Sequence, residues 1–394
     1  LGVTLAPVYY DYQALLDYPV GGGNLKVLVF GSDDRAKAVF SEVNAVDPSS
    51  REITTSILFH RVIAAWGRRW GDHRLKASVA GGYFRTAAHF SDTLHLRLDW
   101  GNTSLRSEYG YRVSRNLSLA VGLVTDFQVA HANFSLPQVP QEGEVPEPVA
   151  SSPRVQRSGT EMLFNQAFFI EATWKPVRWL TLIPGLRLDV FSFVTLTDWV
   201  FDPRLTARFD LTKTLSLIAA VGTFHQEPEV FQLIEYMGGN PDVRHENSLH
   251  TSLGISWKIR PALSLEVTGF YKYLWNRVAP SPAIVIRDGE VVSENLANHG
   301  TGRIYGGELM VKLRPSRNCP KFLRLQKCFG WLSYTVMRSE RHDSPEAPWR
   351  LFDFDQTHIL TLVISGEWRY GWGLGIRFRF ASGNPSTPFQ GGIY

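Results

Sequence analysis

The sequence predicts an all-β chain: an antiparallel transmembrane β-barrel built from about sixteen long strands. Three observations carry this reading. Polar and apolar residues alternate with period two along most of the chain, and no long 3.6-residue pattern competes. Tight turns alternate with long polar loops, as when strands cross a bilayer and return. Aromatics are 13% of the residues, and groups of them sit near expected strand ends, where amphipathic rings favour the headgroup zone. The strands come out at roughly 10 to 20 residues, against about five or six in ordinary globular sheets.

In chain order, Tyr9, Tyr10 and Tyr12 mark the end of a first strand before a turn at 19–24, and a polar loop follows at 34–52. Trp66 and Trp70 flank a turn at 70–73. In TLHLRLDW, Leu94, Leu96, Leu98 and Trp100 form the oily side opposite His95, Arg97 and Asp99. A turn at 114–116 precedes a loop at 138–158, whose acidic, Pro-rich part at 142–153 is the expected mobile segment. Trp174 and Trp179 bracket the turn at 175–179. In LTLIPGLRLDV, Leu182, Pro184, Leu186, Leu188 and Val190 oppose Arg187 and Asp189. In RLTARFDL, Leu205, Ala207, Phe209 and Leu211 oppose Arg204, Arg208 and Asp210. After a turn at 211–214, a loop is expected at 224–247 and a turn at 259–262. LSLEVTGFYKY sets Leu263, Leu265, Val267 and Tyr271 against Glu266 and Lys272, and Tyr271, Tyr273 and Trp275 close that strand. Loops are expected at 274–303 and 338–356. In 349–365, Trp349, Phe352 and Phe354 are expected at headgroup level and Asp353, Asp355 and Gln356 bonding neighbouring strands, before Leu360, Leu362 and Ile364 enter lipid. Trp368, Tyr370 and Trp372 border the turn at 369–372, and GLGIRFRF sets Leu374, Ile376, Phe378 and Phe380 against Arg377 and Arg379.

Composition removes several alternatives. Hydrophobic residues at 44% and charged residues at 20% exclude a disordered chain. A net charge of +4 over 394 residues is too small to argue for nucleic acid. No apolar run is long enough for a transmembrane helix, which says nothing against strands that cross. A soluble sandwich would need shorter strands and a dry centre between two sheets, and a propeller would show a repeat of about 40 residues. The decisive expectation is that Leu186, Leu205 and Leu265 face outward to a bilayer.

Chemistry-bearing motifs are sparse. His225 lies near Glu227 and Glu229, His245 beside Glu246 and His342 beside Asp343, but none has the spacing of a metal-ligand set, and no metal or cofactor is expected. No nucleophile elbow or phosphate loop appears, so no catalytic residue is assigned and no enzyme is expected. Cys319 and Cys328 stand nine residues apart beside a short-turn end, where a disulfide would suit an oxidising compartment; two unpaired thiols are the alternative. Arg314, Arg317, Lys321, Arg324 and Lys327 read as a solvated turn.

The stretch from Phe224 through Pro228, then Gly239, Asn240, Pro241 and Glu246, leads into Leu253-Gly254-Ile255. It resembles the barrel of TonB-dependent receptors, as do LSLEVTGFYKYLWNRV, GRIYGGELMVKLRP and the segment 349–388. The resemblance implies a barrel of roughly 22 strands around a plug. On this reading the chain (1–394) is one partial barrel domain without the plug and the terminal strands. It also implies an outer-membrane transporter of a Gram-negative bacterium, taking up a ferric siderophore, cobalamin or oligosaccharide. Its partners would be membrane lipid, its own plug, the TonB complex and the ligand, with no nucleic acid. Ligand contacts are expected at Phe224, Phe231, Tyr236 and Trp349. Lumen and plug contacts are expected at Arg187, Asp189, Arg208, Asp210, Glu266, Lys272, Glu308 and Lys312. A passive porin and a structural or adhesive barrel are the alternative readings.

Overall fold

The computed structural model describes residues 3–40, 52–91, 94–137, 154–193, 196–235, 238–287, 289–316, 319 and 324–385. The acidic segment at 142–153 lies outside them. The chain forms one antiparallel sheet in which every long strand pairs with its neighbours in sequence. The first half contains β1 (Val3–Val20), β2 (Gly23–Phe40), β3 (Glu52–Trp70), β4 (His73–Ser91), β5 (Leu94–Arg112), β6 (Leu117–Pro137), β7 (Arg154–Val177), β8 (Leu180–Phe193) and β9 (Leu196–Asp210). The second contains β10 (Leu215–Gln226), the one-turn helix α1 (Val230–Leu233), β11 (Glu246–Arg260), β12 (Leu263–Arg287), β13 (Glu290–Ser316), β14 (Lys327–His342), β15 (Arg350–Leu351), β16 (His358–Glu367) and β17 (Gly373–Ala381). Apart from the two-residue β15, the described residues form sixteen strands, in line with the roughly sixteen that the alternation predicts. Among the described residues the sheet is open: β1 pairs only with β2, and β17 only with β16.

Register fixes which way each side chain points. Opposed residues share a face, so Gly185, Arg187 and Asp189 of β8 lie with Arg204, Asp202 and Val200 of β9. The same face continues to Gly222 of β10, His250 of β11 and Lys272 of β12. It is the inner, lumenal side. Across the sheet, Leu186, Leu205, Leu253, Ile255 and Val267 stand exposed on the outer face with no second sheet over them, and half-buried Leu265 shares that face. A water-facing sheet would not present so much apolar surface, whereas a bilayer wall must. The sandwich alternative is thereby excluded.

Three expectations are corrected. The loop expected at 274–303 is instead a hairpin continuation, making β12 and β13 25 and 27 residues long. Its turn-like residues are absorbed as bulges between Leu274 and Arg277, Arg277 and Ala279, and Ser281 and Ile284, with positive φ at Asn276 and Asn295. Second, Tyr9, Tyr10 and Tyr12 lie inside β1 and not at its end, because the strand continues past the level where the rings sit. Third, Leu96, Leu98 and Trp100 of β5 point inward, while Arg97 and Asp99 point outward. The polarity of the pattern inverts there because this part of β5 is at the long-loop end, beyond the apolar band.

At that end the loop after β10 packs against the β12–β13 hairpin. Val243, 1% exposed, joins Phe191, Val200, Leu233 and Val278 in a small apolar core. Asn240 donates to the Leu296 carbonyl (2.7 Å) and accepts from Arg287 Nη2 (2.7 Å) and the Asp242 amide (2.9 Å). Glu246 accepts from the Val278 amide at 2.8 Å. Asp355 accepts from the Ser339 amide at 2.6 Å, tying the 343–357 loop to β14 as its sequence suggests. At the opposite, short-turn end, Cys319 and Cys328 are joined as a disulfide with Cα atoms 5.7 Å apart.

Candidate ligand site at the mouth of the lumen

Two adjoining cavities open on the inner face at the long-loop end. The polar one, about 420 Å³, is lined by Asp126, Asn165, Arg187, Asp189, Asp202 and Arg204, with Phe224, His225 and Glu227 from the end of β10 and the loop beyond. Its neighbour, about 690 Å³, is mainly apolar, with Leu96, Leu98, Trp100, Phe134, Leu163 and Ile234 among its walls. His225 and Glu227 border both.

The strands deliver these groups in a fixed order. Arg187 stands directly opposite Asp202, and it grips Asp189 two residues along its own strand through Nε (2.6 Å) and Nη2 (2.7 Å). Arg204 lies between two glycines in register, Gly185 and Gly222. A Cβ on Gly222 would come within 3.0 Å of the Arg204 Cβ, so the missing side chain makes room for the arginine beside Phe224. Pairing of β10 with β9 ends at Gly222, and beyond it β10 turns so that His225 Nδ1 reaches Asp202 Oδ2 at 2.6 Å. Glu227 receives both Asn165 contacts, at 2.8 and 2.9 Å. Burial pushes the Glu227 carboxyl above its ordinary range, against the opposing pull of the Asn165 bond.

One donor atom each from Asp189, Asp202 and His225 lies within 4.8 Å of the others. Both aspartates are almost fully buried. Carboxylate oxygens with an imidazole nitrogen make a donor set that suits a first-row divalent metal. Arg187 already compensates Asp189, so the group is stable without an ion. The arrangement can therefore receive a cationic or metal-bearing group at its polar end and an apolar body at the other.

Of the residues singled out in the sequence, Phe224, Arg187 and Asp189 line the polar cavity. Arg208 and Asp210 share the inner face but lie near the short-turn end, bonded to each other and to Ser216. Glu266, Lys272, Glu308 and Lys312 lie on the inner face of β12 and β13 and line neither cavity. Trp349 stacks on His342 and Arg303, away from Phe224. Phe231 belongs to α1, whose side chain at that position is not described, and Tyr236 lies outside the described residues. Asp202, Asn165 and Asp126 escaped the sequence reading. Asp202 holds the inward phase of Arg204, Arg208 and Asp210, but Pro203 interrupts the run and hides it.

No curated protein matches the chain in sequence. Among solved structures, the FrpB iron transporter from Neisseria meningitidis (F3-3 variant) is similar at TM-score 0.69 and 11% identity, covering 95% of this chain and 59% of that one. The pyoverdine outer membrane receptor FpvA from Pseudomonas aeruginosa PAO1 is similar at TM-score 0.69 and 12% identity, covering 93% and 58%. The outer membrane transporter YddB from Escherichia coli follows at TM-score 0.68 and 10% identity, covering 92% and 55%. These likenesses speak to the fold, and the chain spans less than two thirds of each structure. The sequence model for the TonB dependent receptor-like β-barrel matches residues 8–392, nearly the whole chain. With that match, and the open wall of long strands that carries an apolar outer face, the chain belongs to the TonB-dependent receptor β-barrel family.

Proposed function

We propose that the chain forms the wall and mouth of an outer-membrane receptor that takes up a scarce metal-bearing ligand, a ferric chelate before cobalamin or an oligosaccharide. The observation that carries this is the convergence of Asp189, Asp202 and His225 beside an apolar cavity at the long-loop end. Iron and pyoverdine in the names of two similar structures lean the same way. On this reading the long-loop end faces the exterior. A plug within the lumen and an energy-transducing complex reached through it would gate passage, and the wall residues bind and orient cargo without catalysing a reaction.

The wall itself supplies two terms. The aspartates and His225 offer charge complementarity to a cationic centre. The Leu96, Leu98 and Trp100 side of the mouth buries the organic part of a chelate. A passive pore would show conductance without a saturable site, and an adhesive barrel would bind through its loops alone.

The test is titration of the full-length receptor with ferric chelates, cobalamin and oligosaccharides, paired with growth of a deletion strain on each. Asp202→Asn is expected to weaken chelate binding at least about tenfold, the scale of losing one buried charge partner. Equal affinity of wild type and variant, or saturable binding of the oligosaccharide alone, would overturn the assignment.

A further inference from the structure

Arg341 is a buried cation without an anion. It stands near the end of β14 on the inner face of the mouth, directly opposite Gly302 of β13, and is 6% exposed. The acids around it are engaged elsewhere. Glu340 points to the outer face, where Arg303 and Arg338 hold it. Asp343 is held by Arg350. Asp355 accepts from the Ser339 amide and the Thr357 hydroxyl. Glu246 accepts from the Val278 amide and faces Arg277, whose Nε is 3.8 Å away. Among the described residues, Arg341 makes two hydrogen bonds, both from Nη1, to Ser339 Oγ and the Glu340 carbonyl at 3.1 Å. Its Nε is buried without a partner, and Nη2 makes no bond to a described residue.

A lone ion in this position is costly, because it has left water and nothing of opposite charge replaces it. The Phe352 ring lies 4.0 Å over the guanidinium and offsets part of that cost. The ring covers the face of the group, however, and leaves its edge. With Nη1 turned to the strand, Nε and Nη2 form that edge: two parallel N–H donors in one plane, the fork that grips both oxygens of a carboxylate. Burial first, and then repulsion from Arg277, pull the Arg341 pKa down to about 10, so the group stays charged at neutral pH. Arg277 and Arg341 stand against the single Glu246, which leaves one positive charge over. A planar monoanion matches that surplus. A phosphate dianion exceeds it, and a sugar hydroxyl does not offset it.

The register ties this arginine to the mouth site. Phe224, Ser248, Leu274, Gly302 and Arg341 oppose one another in turn across β10 to β14, one row of the inner face. The row starts at the polar cavity, which Phe224 lines, and reaches Arg341 four strand spacings on, about 19 Å along the wall. We propose that Arg341 binds a carboxylate through its Nε–Nη2 edge, a second subsite of the mouth, with the group supplied by the cargo or by a free small organic acid. With the cargo as source, the subsite rests on the receptor reading above and narrows it. The cargo is then an extended chelate whose metal end meets Asp189, Asp202 and His225 while an acidic arm reaches Arg341.

The experiment uses the full-length receptor in detergent, read by calorimetric titration and thermal unfolding. Four probes are used: a ferric chelate with a free carboxylate, the methyl ester of the same chelate, sodium acetate and inorganic phosphate. Wild type is expected to bind the acid at least about tenfold more tightly than the ester, the scale of one charge-assisted hydrogen bond. Arg341→Gln is expected to bind acid and ester alike, whereas Asp202→Asn binds both more weakly and keeps the preference. Arg341→Lys, which keeps the charge and loses the fork, is expected to retain part of it. Without ligand, Arg341→Gln is expected to unfold at a higher temperature than wild type, since it removes an uncompensated charge; an arginine that only holds the fold gives the opposite. Acetate raising the midpoint of wild type and not of Arg341→Gln assigns the site to a free acid. Acid preference without an acetate effect assigns it to the cargo. Neither effect in wild type, an unchanged preference in Arg341→Gln, a response to phosphate and not acetate, or a lowered midpoint of the ligand-free variant would each overturn the proposal. Failure of every ferric chelate to bind wild type would overturn the transport reading alone, because acetate still reports on Arg341.

Discussion

Asn240 is the clearest place to test how the mouth is held together. Its side chain is 3% exposed and makes three hydrogen bonds, to the Leu296 carbonyl, Arg287 and the Asp242 amide. Asn240→Ala removes all three and leaves a buried carbonyl and part of a guanidinium without partners. Two neutral bonds at about 1 kcal/mol each and one charged bond at about 2 give roughly 4 kcal/mol, taken down to about 3 because water reaches the rim when the loop loosens. At 1.4 kcal/mol per tenfold, local opening rises more than about 100-fold. The assay is native-state hydrogen exchange of the amides in 238–245, where Gly239 and Asn240 donate to Ile234 and Gln232 carbonyls. Asn240→Asp keeps the two acceptor bonds and loses only the one to Leu296, so its exchange should rise roughly fivefold, for about 1 kcal/mol. Protection within about threefold of wild type in the Ala variant would refute the view that this residue locks the loop to the hairpin.

Gly122→Ala should destabilise the wall by about 1 to 3 kcal/mol, because the added Cβ would lie 2.1 Å from the Phe169 ring and 2.8 Å from the Ser107 carbonyl; the check is a lowered unfolding midpoint in urea, restored when Phe169→Leu is combined with it. Burial raises the Glu227 carboxyl, so its neutral form is favoured in the fold: the favourable contribution is present below the unfolded carboxylate pKa and is lost as pH rises through the folded one. Thermal melts of wild type should therefore lose stability over that acidic-to-neutral window relative to Glu227→Gln, and parallel pH profiles would count against a buried carboxyl.

The strands were legible in the sequence because a bilayer wall imposes a simple rule, one apolar residue outward at every second position. Leu186, Leu205, Val267 and Ile376 obey it, and the register confirms their face. The rule stops where the bilayer stops. Above the girdle, Leu96 and Leu98 turn inward and Arg97 outward, so the same alternation carries the opposite meaning and periodicity has no marker for the change. The hairpin at 274–303 was hidden for a related reason. Pro280, Pro282 and Asn295 are turn residues by type, and only pairing with the opposite strand shows that bulges accommodate them. The mouth site was half visible. Arg187 and Asp189 announce themselves by alternation and Phe224 by the family resemblance, but the carboxylate–imidazole cluster is made from β8, β9 and β10 together, and spacing along one chain does not encode proximity across three strands. The Asn240 and Glu246 positions of the family-like stretch serve as structural ties.

The β12–β13 hairpin outruns its neighbours, since β11 stops pairing at Trp275 and β14 at Thr301. Its two arms continue for roughly ten residues more to a turn at Gly289, about 30 Å at strand rise. Arg287 anchors one arm to Asn240 and Glu235, while Glu290 and Val291 across the turn remain open to solvent. That makes Gly289 a natural splice point. On the receptor reading proposed above, a short epitope inserted there would stand at a solvent-exposed turn within reach of labelled antibody.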